Sequence, residues 1–461
     1  MKAHKYISLK VRTVTTVLFL SILSSCADFI DVGPPKSQIV TATVFQSEAS
    51  AISALSGVYS LMMTNTSFTR GSIEEYTGIA SDELINYSVN VNRIQFYQNS
   101  LTNTNTDVLS VFWQEAYKYI NNANVIVEGL SQSALPEPVK NKLTGEALFI
   151  RAFCHFYLAT LFGDVPYINT SDYRITAAAS RDPFQLVLNC IERDLLKAQE
   201  LMTADFGTGN LRIRPNKGAA TALLARLYLY KGEWAKSEAM ATDLITNTSY
   251  SVLANLNDVF LPNSKETIWQ LQPVITGSGA PQAGMFVITA VPNGAAIRVS
   301  VTPQLFYAFE PHDQRKINWM RTFTASGNTW YYMFKYRGIT TPTEYSTVFR
   351  IAEQYLIRSE ARTQLGNYEG ARSDINVIRS RAGLTATAAD GKDNLLSVIL
   401  QERRLELFGE FGHRWLDLKR MGKVDEVLAP LKLQWQSTAA LFPIPNAERI
   451  LNPNLSQNLG Y

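Results

Sequence analysis

Apolar side chains recur at helical spacing along most of this chain. Early in the sequence, Leu55, Val58 and Met62 fall three and four residues apart, which places them on one face of a helix. The same periodicity predicts helices over residues 48–63, 108–130, 138–161, 183–201, 217–231, 234–245, 348–365, 368–382 and 395–408. The chain is therefore predicted to be mainly α-helical.

Two stretches depart from this helical pattern. Residues 251–348 contain short alternating apolar and polar runs with turn residues between them, which is typical of strands and loops. A strand here would place Trp330 on one face and Tyr331 on the other. Residues 64–106 are polar and rich in asparagine, without strong periodicity. We predict that they form an inserted loop with a functional role.

Two of the helix breaks share one motif: glycine, any residue, an aromatic residue, two further residues and a small residue. It spans residues 232–237, around Trp234, and residues 366–371, around Tyr368. In tetratricopeptide-type helix pairs the glycine forms the turn, the aromatic residue packs into the partner helix, and the small residue permits close approach. The predicted fold is an α-superhelix of tetratricopeptide-like helix pairs with a loop-rich lobe that contains short β-strands.

The first 25 residues have the features of a lipoprotein signal peptide. A basic start, which includes Lys10 and Arg12, precedes the apolar run 14–23. Ten helical residues cover about 15 Å, too little to span a membrane. The run ends in Ser24-Ser25-Cys26, which resembles the lipobox that the bacterial lipoprotein signal peptidase cleaves. We predict that Cys26 is lipidated and anchors the chain to a membrane; the alternative is an ordinary secretory signal with an incidental cysteine.

These patterns divide the chain into five consecutive parts. They are a signal peptide (1–25), an extended lipidated leader (26–45), an N-terminal helical region (46–250) with the inserted loop 64–106, a strand-rich and loop-rich lobe (251–348), and a C-terminal helical region with an irregular tail (349–461).

Removal of the signal peptide also changes the charge. It takes away four positive charges and no negative ones, so the formal net charge falls from +3 to −1. Nucleic-acid binding needs a concentrated basic face, and a near-neutral chain does not favour it. Beyond the signal peptide, Cys154 and Cys190 are the remaining cysteines. They are either buried free thiols or a disulfide, and sequence cannot supply the geometry that decides between the two.

Catalytic motifs are not evident in the sequence. Glu402, Glu406 and Glu410 share a helical face near His413, which is compatible with a metal or acid/base site. The many neighbouring arginines favour an ion-pair network instead. No catalytic or metal-binding signature occurs in the sequence, so neither an enzyme nor a cofactor is predicted.

An ordered set of motifs resembles the SusD/RagB family of outer-membrane nutrient-binding lipoproteins, over most of the mature chain. The set comprises Ala54-Leu55-x-Gly57-x-Tyr59, Arg151-Ala152-Phe153-x-x-Phe156, Phe162-Gly163-Asp164-Val165-Pro166, Arg350-x-x-Glu353-x-Tyr355-Leu356, Glu402-Arg403-Arg404-x-Glu406-Leu407, Gly412-His413-Arg414-Trp415-x-Asp417-Leu418 and the closing Asn452-Pro453-x-Leu455. The resemblance implies a surface-exposed lipoprotein of the outer membrane. It also implies a TonB-dependent SusC-like barrel as partner and an oligosaccharide, or in some members a peptide, as ligand.

Flat aromatic faces with amide and arginine groups at their edges recognise sugar rings and extended peptides. Residues of this kind occur in the polar stretch near residue 90 and in the strand-rich middle. The candidate ligand-binding residues are Tyr87, Arg93, Trp269, Trp319, Trp330 and Tyr331.

The leading interpretation is a nutrient-binding protein without catalysis that delivers its ligand to the barrel. One alternative is an extracellular hydrolase of glycans or peptides. Another is a tetratricopeptide scaffold that binds only protein.

Overall fold

The computed structural model of the protein describes residues 41–64 and 66–461. The predicted signal peptide, Cys26 and most of the leader lie outside the described residues. Helix α1 (Thr41–Val44) belongs to a first compact unit, which ends at Val44. The second unit comprises Phe45–Tyr461 and contains the remaining elements of the described residues.

The second unit is mainly helical. Its α-helices are α2 (Glu48–Thr64), α3 (Ile73–Ala80), α4 (Val91–Gln98), α5 (Glu115–Ser131), α6 (Glu137–Phe162), α7 (Tyr173–Thr176), α8 (Phe184–Leu201), α9 (Lys217–Lys231), α10 (Trp234–Thr246), α11 (Pro281–Phe286), α12 (Pro303–Phe306), α13 (Gln314–Trp319), α14 (Ile351–Gln364), α15 (Tyr368–Arg381), α16 (Lys392–Leu407), α17 (His413–Arg420), α18 (Val424–Leu428) and α19 (Asn446–Leu451). Wider π-helical turns form at Phe68–Ser72 and Val108–Gln114. None of the helices in the described part of the chain is both long enough and apolar enough to cross a membrane.

Six short strands form two antiparallel sheets. The strands are β1 (Leu84–Asn86), β2 (Thr267–Leu271), β3 (Val299–Val301), β4 (Met320–Ala325), β5 (Asn328–Met333) and β6 (Ser346–Arg350). The larger sheet has the order β1-β3-β5-β4, and β2 pairs with β6 in the smaller one. Leu84 faces Val301, which in turn faces Tyr331. Strand β1 therefore brings the segment around residue 85 onto the strands of the middle region.

Consecutive helices pack as pairs. Helix α6 packs against α5 and α8, α9 against α10, and α14 against α10 and α15. Both glycines of the shared motif have a left-handed backbone, with φ of 70° at Gly232 and 82° at Gly366. Trp234 packs against a buried cluster that includes Ala225 and Ile357. The predicted tetratricopeptide-like helix pairs are confirmed.

An aromatic core joins the smaller sheet to the helices. Phe149 and Phe153 of α6 lie with their ring centroids 5.0 Å and 5.3 Å from Trp269 of β2, each edge to face. Phe349 of β6 stacks on the other side of Trp269 at 6.0 Å. Burial of each such ring contributes about 1.5–3 kcal/mol, so this cluster holds β2 and β6 against α6.

Buried ion pairs tie the C-terminal helices together. Arg315 pairs with Glu402 at 2.9 Å, and Arg350 pairs with Glu410 at 2.7 Å. Burial and the Arg226 guanidinium lower the pKa of His413, which keeps this imidazole neutral and unsuited to holding a proton. The predicted ion pairing of these glutamates is confirmed, but the predicted partners are wrong. The neighbouring arginines Arg403, Arg404, Arg414 and Arg420 bind other carboxylates, and the glutamates pair with arginines from distant segments.

Residues 64–106 do not form a loop. They contain α3, β1 and α4, and Tyr76 and Phe96 are buried. The ring of Tyr76 lies 5.6 Å from that of Phe112, and the ring of Phe96 lies 5.3 Å from that of Phe442. The prediction of an inserted loop is wrong because short elements find their apolar partners far away in sequence, where local periodicity gives no signal.

Candidate functional site

A polar cleft of about 430 Å³ lies beside α3 and α4, at the end of the larger sheet where β1 ends and β3 begins. Its lining consists of Thr66, Arg70, Ser72, Glu75, Tyr76, Ser88, Asn90, Arg93, Asp107, Met285 and Arg298. Met285 is the one aliphatic side chain in this lining. The cleft therefore offers hydrogen bonds and charge to a ligand, beside an apolar surface that Met285 and the Tyr76 ring supply.

A fixed backbone positions Arg70 at the cleft. Gly71 follows it with φ of 84°, and a Cβ atom there would lie 2.7 Å from the Met285 sulfur. The left-handed backbone therefore favours glycine, and a larger residue would also displace the Met285 side chain. The buried hydroxyls of Ser67 and Thr69 donate to the Met62 carbonyl at 3.3 Å and 2.7 Å. These contacts hold the π-helical turn that carries Arg70.

A carboxylate bridges two arginines in the cleft. Glu75 pairs with Arg93 at 2.5 Å and with Arg298 at 3.2 Å. Arg93 is placed by the start of α4, where the Asn90 side chain accepts a hydrogen bond from its backbone N–H. Glu75 is contributed by α3 and Arg298 by the residue before β3. Helices and sheet thus meet at one charged cluster.

Tyr76 forms the floor of the cleft. Its hydroxyl donates to Asp107 Oδ2 at 2.7 Å, and the Arg93 guanidinium lies 5.0 Å from its ring centroid. Burial and the neighbouring Asp107 carboxylate raise the pKa of Tyr76, so its hydroxyl stays protonated and keeps donating.

Tyr87 lies next to the cleft rather than in its lining. It directly follows β1, its hydroxyl lies 3.0 Å from Ser300 Oγ, and its backbone N–H donates to the Arg298 carbonyl at 2.8 Å. Ser88, the next residue, lines the cleft. Of the two candidates near residue 90, the structure places Arg93 in the cleft and Tyr87 at its edge.

An exposed aromatic group covers one face of β5, and we call it the tyrosine platform: Phe306, Tyr307, Lys316 and Tyr331. The Tyr307 and Tyr331 hydroxyls lie 2.8 Å apart, and Phe306 stacks on Tyr331 with ring centroids 4.0 Å apart. The Lys316 ammonium lies 4.4 Å from the Phe306 ring centroid. Tyr307 remains 65% exposed. The platform combines a flat apolar surface with two hydroxyls and a cation at its edge.

Trp330 lies on the opposite face of the same strand. It pairs across the hairpin with Phe323, and the two ring centroids are 6.1 Å apart. The alternation that the sequence predicts for Trp330 and Tyr331 therefore exists, and the two side chains cannot contact the same ligand ring.

Two comparisons with known families cover most of the chain. A family model described as "Starch-binding associating with outer membrane" matches residues 28–229, and a model of the SusD family matches residues 300–461. The chain belongs to the SusD/RagB family. The resemblance found in the sequence motifs is confirmed.

Individual members of the SusD/RagB family match over nearly their whole length. "SusD-like protein P25" of Formosa agariphila is 24% identical, over 98% of both chains. A SusD superfamily protein from Bacteroides vulgatus superposes with a TM-score of 0.78 at 20% identity, covering 90% of this chain and 100% of that one. A "Laminarin binding SusD-like protein" superposes with a TM-score of 0.76 at 23% identity, with the same coverage. These structures share the fold of this chain.

Two of the candidate ligand residues are core residues of this SusD/RagB fold. Trp269 and Trp319 are both 0% exposed. Trp269 belongs to the aromatic core around β2, and Trp319 Nε1 donates to the Leu256 carbonyl at 3.0 Å. The hypothesis that they stack on a ligand is corrected by this burial, since neither ring has a face open to solvent.

Sequence reasoning missed Arg70, Arg298, Tyr307 and Lys316. They come from four separate segments, and no motif links them. A usable signal existed for the tyrosine platform: Phe306 and Tyr307 are adjacent in a short helical turn.

Proposed function

We propose that this chain is a cell-surface binding protein that captures an oligosaccharide and delivers it to a TonB-dependent SusC-like barrel in the outer membrane. A lipid on Cys26 would hold it at the membrane. Membership of the SusD/RagB family and the family description of starch binding at the outer membrane support this proposal. The structural similarity to a laminarin-binding SusD-like protein also supports it.

The single observation that carries the proposal is the tyrosine platform. A sugar ring has an apolar face and polar edges, and it stacks on exposed aromatic rings that offer hydroxyl groups nearby. Tyr307 and Tyr331 supply that combination at a solvent-exposed position. Their mutual hydrogen bond and the stacked Phe306 fix both rings before any ligand arrives, which lowers the entropic cost of binding.

A binding screen of residues 27–461 against panels of oligosaccharides and peptides tests the proposal. We expect an oligosaccharide to bind, and we expect Tyr307→Ala or Tyr331→Ala to weaken it about 3- to 10-fold, the equivalent of one aromatic contact. Tyr173→Ala is the matched control, because this tyrosine is also exposed and lies outside the platform. Calorimetry gives the dissociation constants.

Three outcomes would contradict the proposal. Peptides that bind while every oligosaccharide fails would change the ligand class. Turnover of a bound glycan that is abolished by one Asp or Glu substitution would make the protein a hydrolase. Association with a barrel without any small ligand would favour a protein-binding scaffold.

A further inference from the structure

The polar cleft contains one cation without a counter-charge. Three guanidinium groups line it, those of Arg70, Arg93 and Arg298, against the two carboxylates of Glu75 and Asp107. Glu75 is engaged by the other two arginines, and Asp107 accepts hydrogen bonds from the Tyr76 hydroxyl and from an asparagine amide. Arg70 has no ion-pair or hydrogen-bond partner for its side chain among the described residues. The cleft thus carries one positive charge in excess.

An exposed arginine elsewhere in the described part of the chain behaves differently. Arg174, at an exposed position, folds back onto Asp172 two residues away. Arg70 has glutamates nearby in sequence, but Glu74 accepts from Gln282 and Glu75 is held by its two arginines. Neither carboxylate forms an ion pair or a hydrogen bond with Arg70. Its isolation therefore follows from the fold and not from a lack of acidic neighbours in the sequence.

Burial makes this isolation unfavourable. The Arg70 side chain is half-buried, and burial lowers the pKa of its guanidinium. A cation withdrawn from water without a partner destabilises the folded protein unless an anion or a hydrogen-bond acceptor arrives. The turn that carries Arg70 is nevertheless fixed by Gly71 and by the buried hydroxyls of Ser67 and Thr69. The fixed turn therefore keeps the Arg70 guanidinium in the cleft.

A second polar group in the cleft also lacks a partner. Arg93 is 6% exposed, and its buried Nε–H finds no acceptor among the described residues. The neutral groups around it, Ser72, Ser88 and Asn90, can donate to or accept from hydroxyls. A ligand that satisfies the cleft must therefore bring a negative charge and several hydroxyl or ring oxygens.

We propose that the polar cleft binds an acidic sugar residue, with Arg70 pairing with its carboxylate or sulfate group and the neutral side chains contacting its hydroxyls. A planar guanidinium pairs with a carboxylate through two parallel hydrogen bonds, which gives both strength and orientation. Most of the lining side chains carry hydrogen-bonding groups, which favours a hydroxyl-rich saccharide over a peptide. This proposal rests on the proposed function and adds to it the chemical class of one subsite, separate from the tyrosine platform.

Calorimetry on residues 27–461 with an oligouronide and with its methyl ester of the same length tests the proposal. The ester lacks the negative charge and carries one added methyl group per residue, and the sugar backbone is the same. We expect the acid to bind at least about tenfold more tightly, and we expect added salt to weaken the acid alone. Arg70→Gln removes this preference, whereas Arg70→Lys keeps part of it because the charge remains without the planar fork. Arg174→Gln is the matched control and leaves the preference unchanged.

Several results would overturn the proposal. They are equal binding of acid and ester, a preference that survives in a folded Arg70→Gln variant, and failure of every carboxylated and sulfated saccharide to bind. The same measurement with a sulfated oligosaccharide shows whether the cleft binds a sulfate or a carboxylate group. Tighter binding of an acidic peptide than of any acidic saccharide would overturn the saccharide assignment. Neutral glycans that still bind and still respond to Tyr307→Ala would show that the proposed function stands although the acidic subsite fails.

Discussion

At the scale of single residues, Glu74 has a buried carboxyl group that makes the stability of the protein depend on pH. It lies in α3 behind the polar cleft, and its Oε1 accepts a hydrogen bond from Gln282 Nε2 at 2.9 Å. Burial raises its pKa from 4.5 to about 7. The folded protein therefore keeps this proton over a pH range in which the unfolded chain has already released it. The stability that the neutral form contributes is complete below pH 4.5 and is lost as the pH rises through 7.

Glu74→Gln stays neutral at every pH. We expect the free energy of unfolding of this variant, relative to the parent, to rise by on the order of 2–3 kcal/mol between pH 4.5 and about 8. Urea unfolding at the two pH values measures the difference, and Glu369→Gln at an exposed position is the control. A difference that is the same at both pH values would contradict the raised pKa of Glu74.

Trp319 and Trp330 should contribute very differently to the stability of the folded protein. Trp319 is fully buried and packs under the Lys335 ammonium, 4.7 Å from its ring centroid. We expect Trp319→Ala to lower the free energy of unfolding by about 3–5 kcal/mol, because it leaves a cavity and an unpaired carbonyl at Leu256. Trp330→Ala, at a half-buried hairpin position, costs much less. Equal losses of thermal stability in the two variants would contradict this assignment.

At the scale of elements, the sequence predicts those helices whose apolar residues recur with a clear local period. The helix expected over residues 48–63 is observed at Glu48–Thr64, and the one expected over 368–382 at Tyr368–Arg381. Their apolar faces are long enough to give a clear period. Helices α3 and α4 have eight residues each, and their buried rings meet partners more than thirty positions away or near the end of the chain. Such contacts leave no local pattern, and the segment was predicted as a loop.

The candidate site was predictable only in part for the same reason. Arg93 lies in a polar stretch that the sequence singles out, and Tyr331 lies in an aromatic strand. Their partners Arg70, Arg298 and Tyr307 come from other segments, which the β1–β3 and β3–β5 pairings bring together. Whether a side chain such as that of Trp319 is buried depends on packing from several elements, and the amino-acid composition does not reveal it.

The helix-pair motif gives a prediction at this scale. Ala371 is fully buried, and it belongs to a cluster with Ile375, Leu395 and Ile399 where α15 and α16 meet. We expect Ala371→Leu to destabilise the protein by about 1–3 kcal/mol through overpacking. At Gly366 a Cβ would meet no atom within 4 Å, so Gly366→Ala costs only the left-handed backbone, about 1–2 kcal/mol. A compensating Ile375→Ala should restore stability to Ala371→Leu and should not restore it to Gly366→Ala. Denaturant unfolding measures both effects.

At the scale of the whole molecule, the two proposed binding surfaces, the polar cleft and the tyrosine platform, depend on both halves of the chain. The cleft combines residues of α3 and α4 with Met285 and Arg298, and the sheet that carries the tyrosine platform begins with β1. Each surface thus draws on residues far apart in sequence. The larger sheet connects β1, which precedes helices α5 to α10, with strands β3 to β5, which follow them, so neither surface is complete in a fragment.

Membrane attachment is a separate property that the sequence assigns to Cys26. Several acyl chains on one cysteine anchor a protein durably, since each buried methylene contributes about 0.8 kcal/mol. We expect Cys26→Ser to move the protein from the membrane fraction to the soluble fraction after a carbonate wash, which removes proteins held only by other proteins. The purified variant should bind the same oligosaccharide with unchanged affinity, because the cleft and the tyrosine platform are built from residues beyond 65. Cys190→Ser, which replaces a free thiol in α8, is the matched control and should stay with the membrane. If Cys26→Ser stays there as well, the anchor is not this cysteine, and the Ser24-Ser25-Cys26 sequence is an ordinary secretory signal.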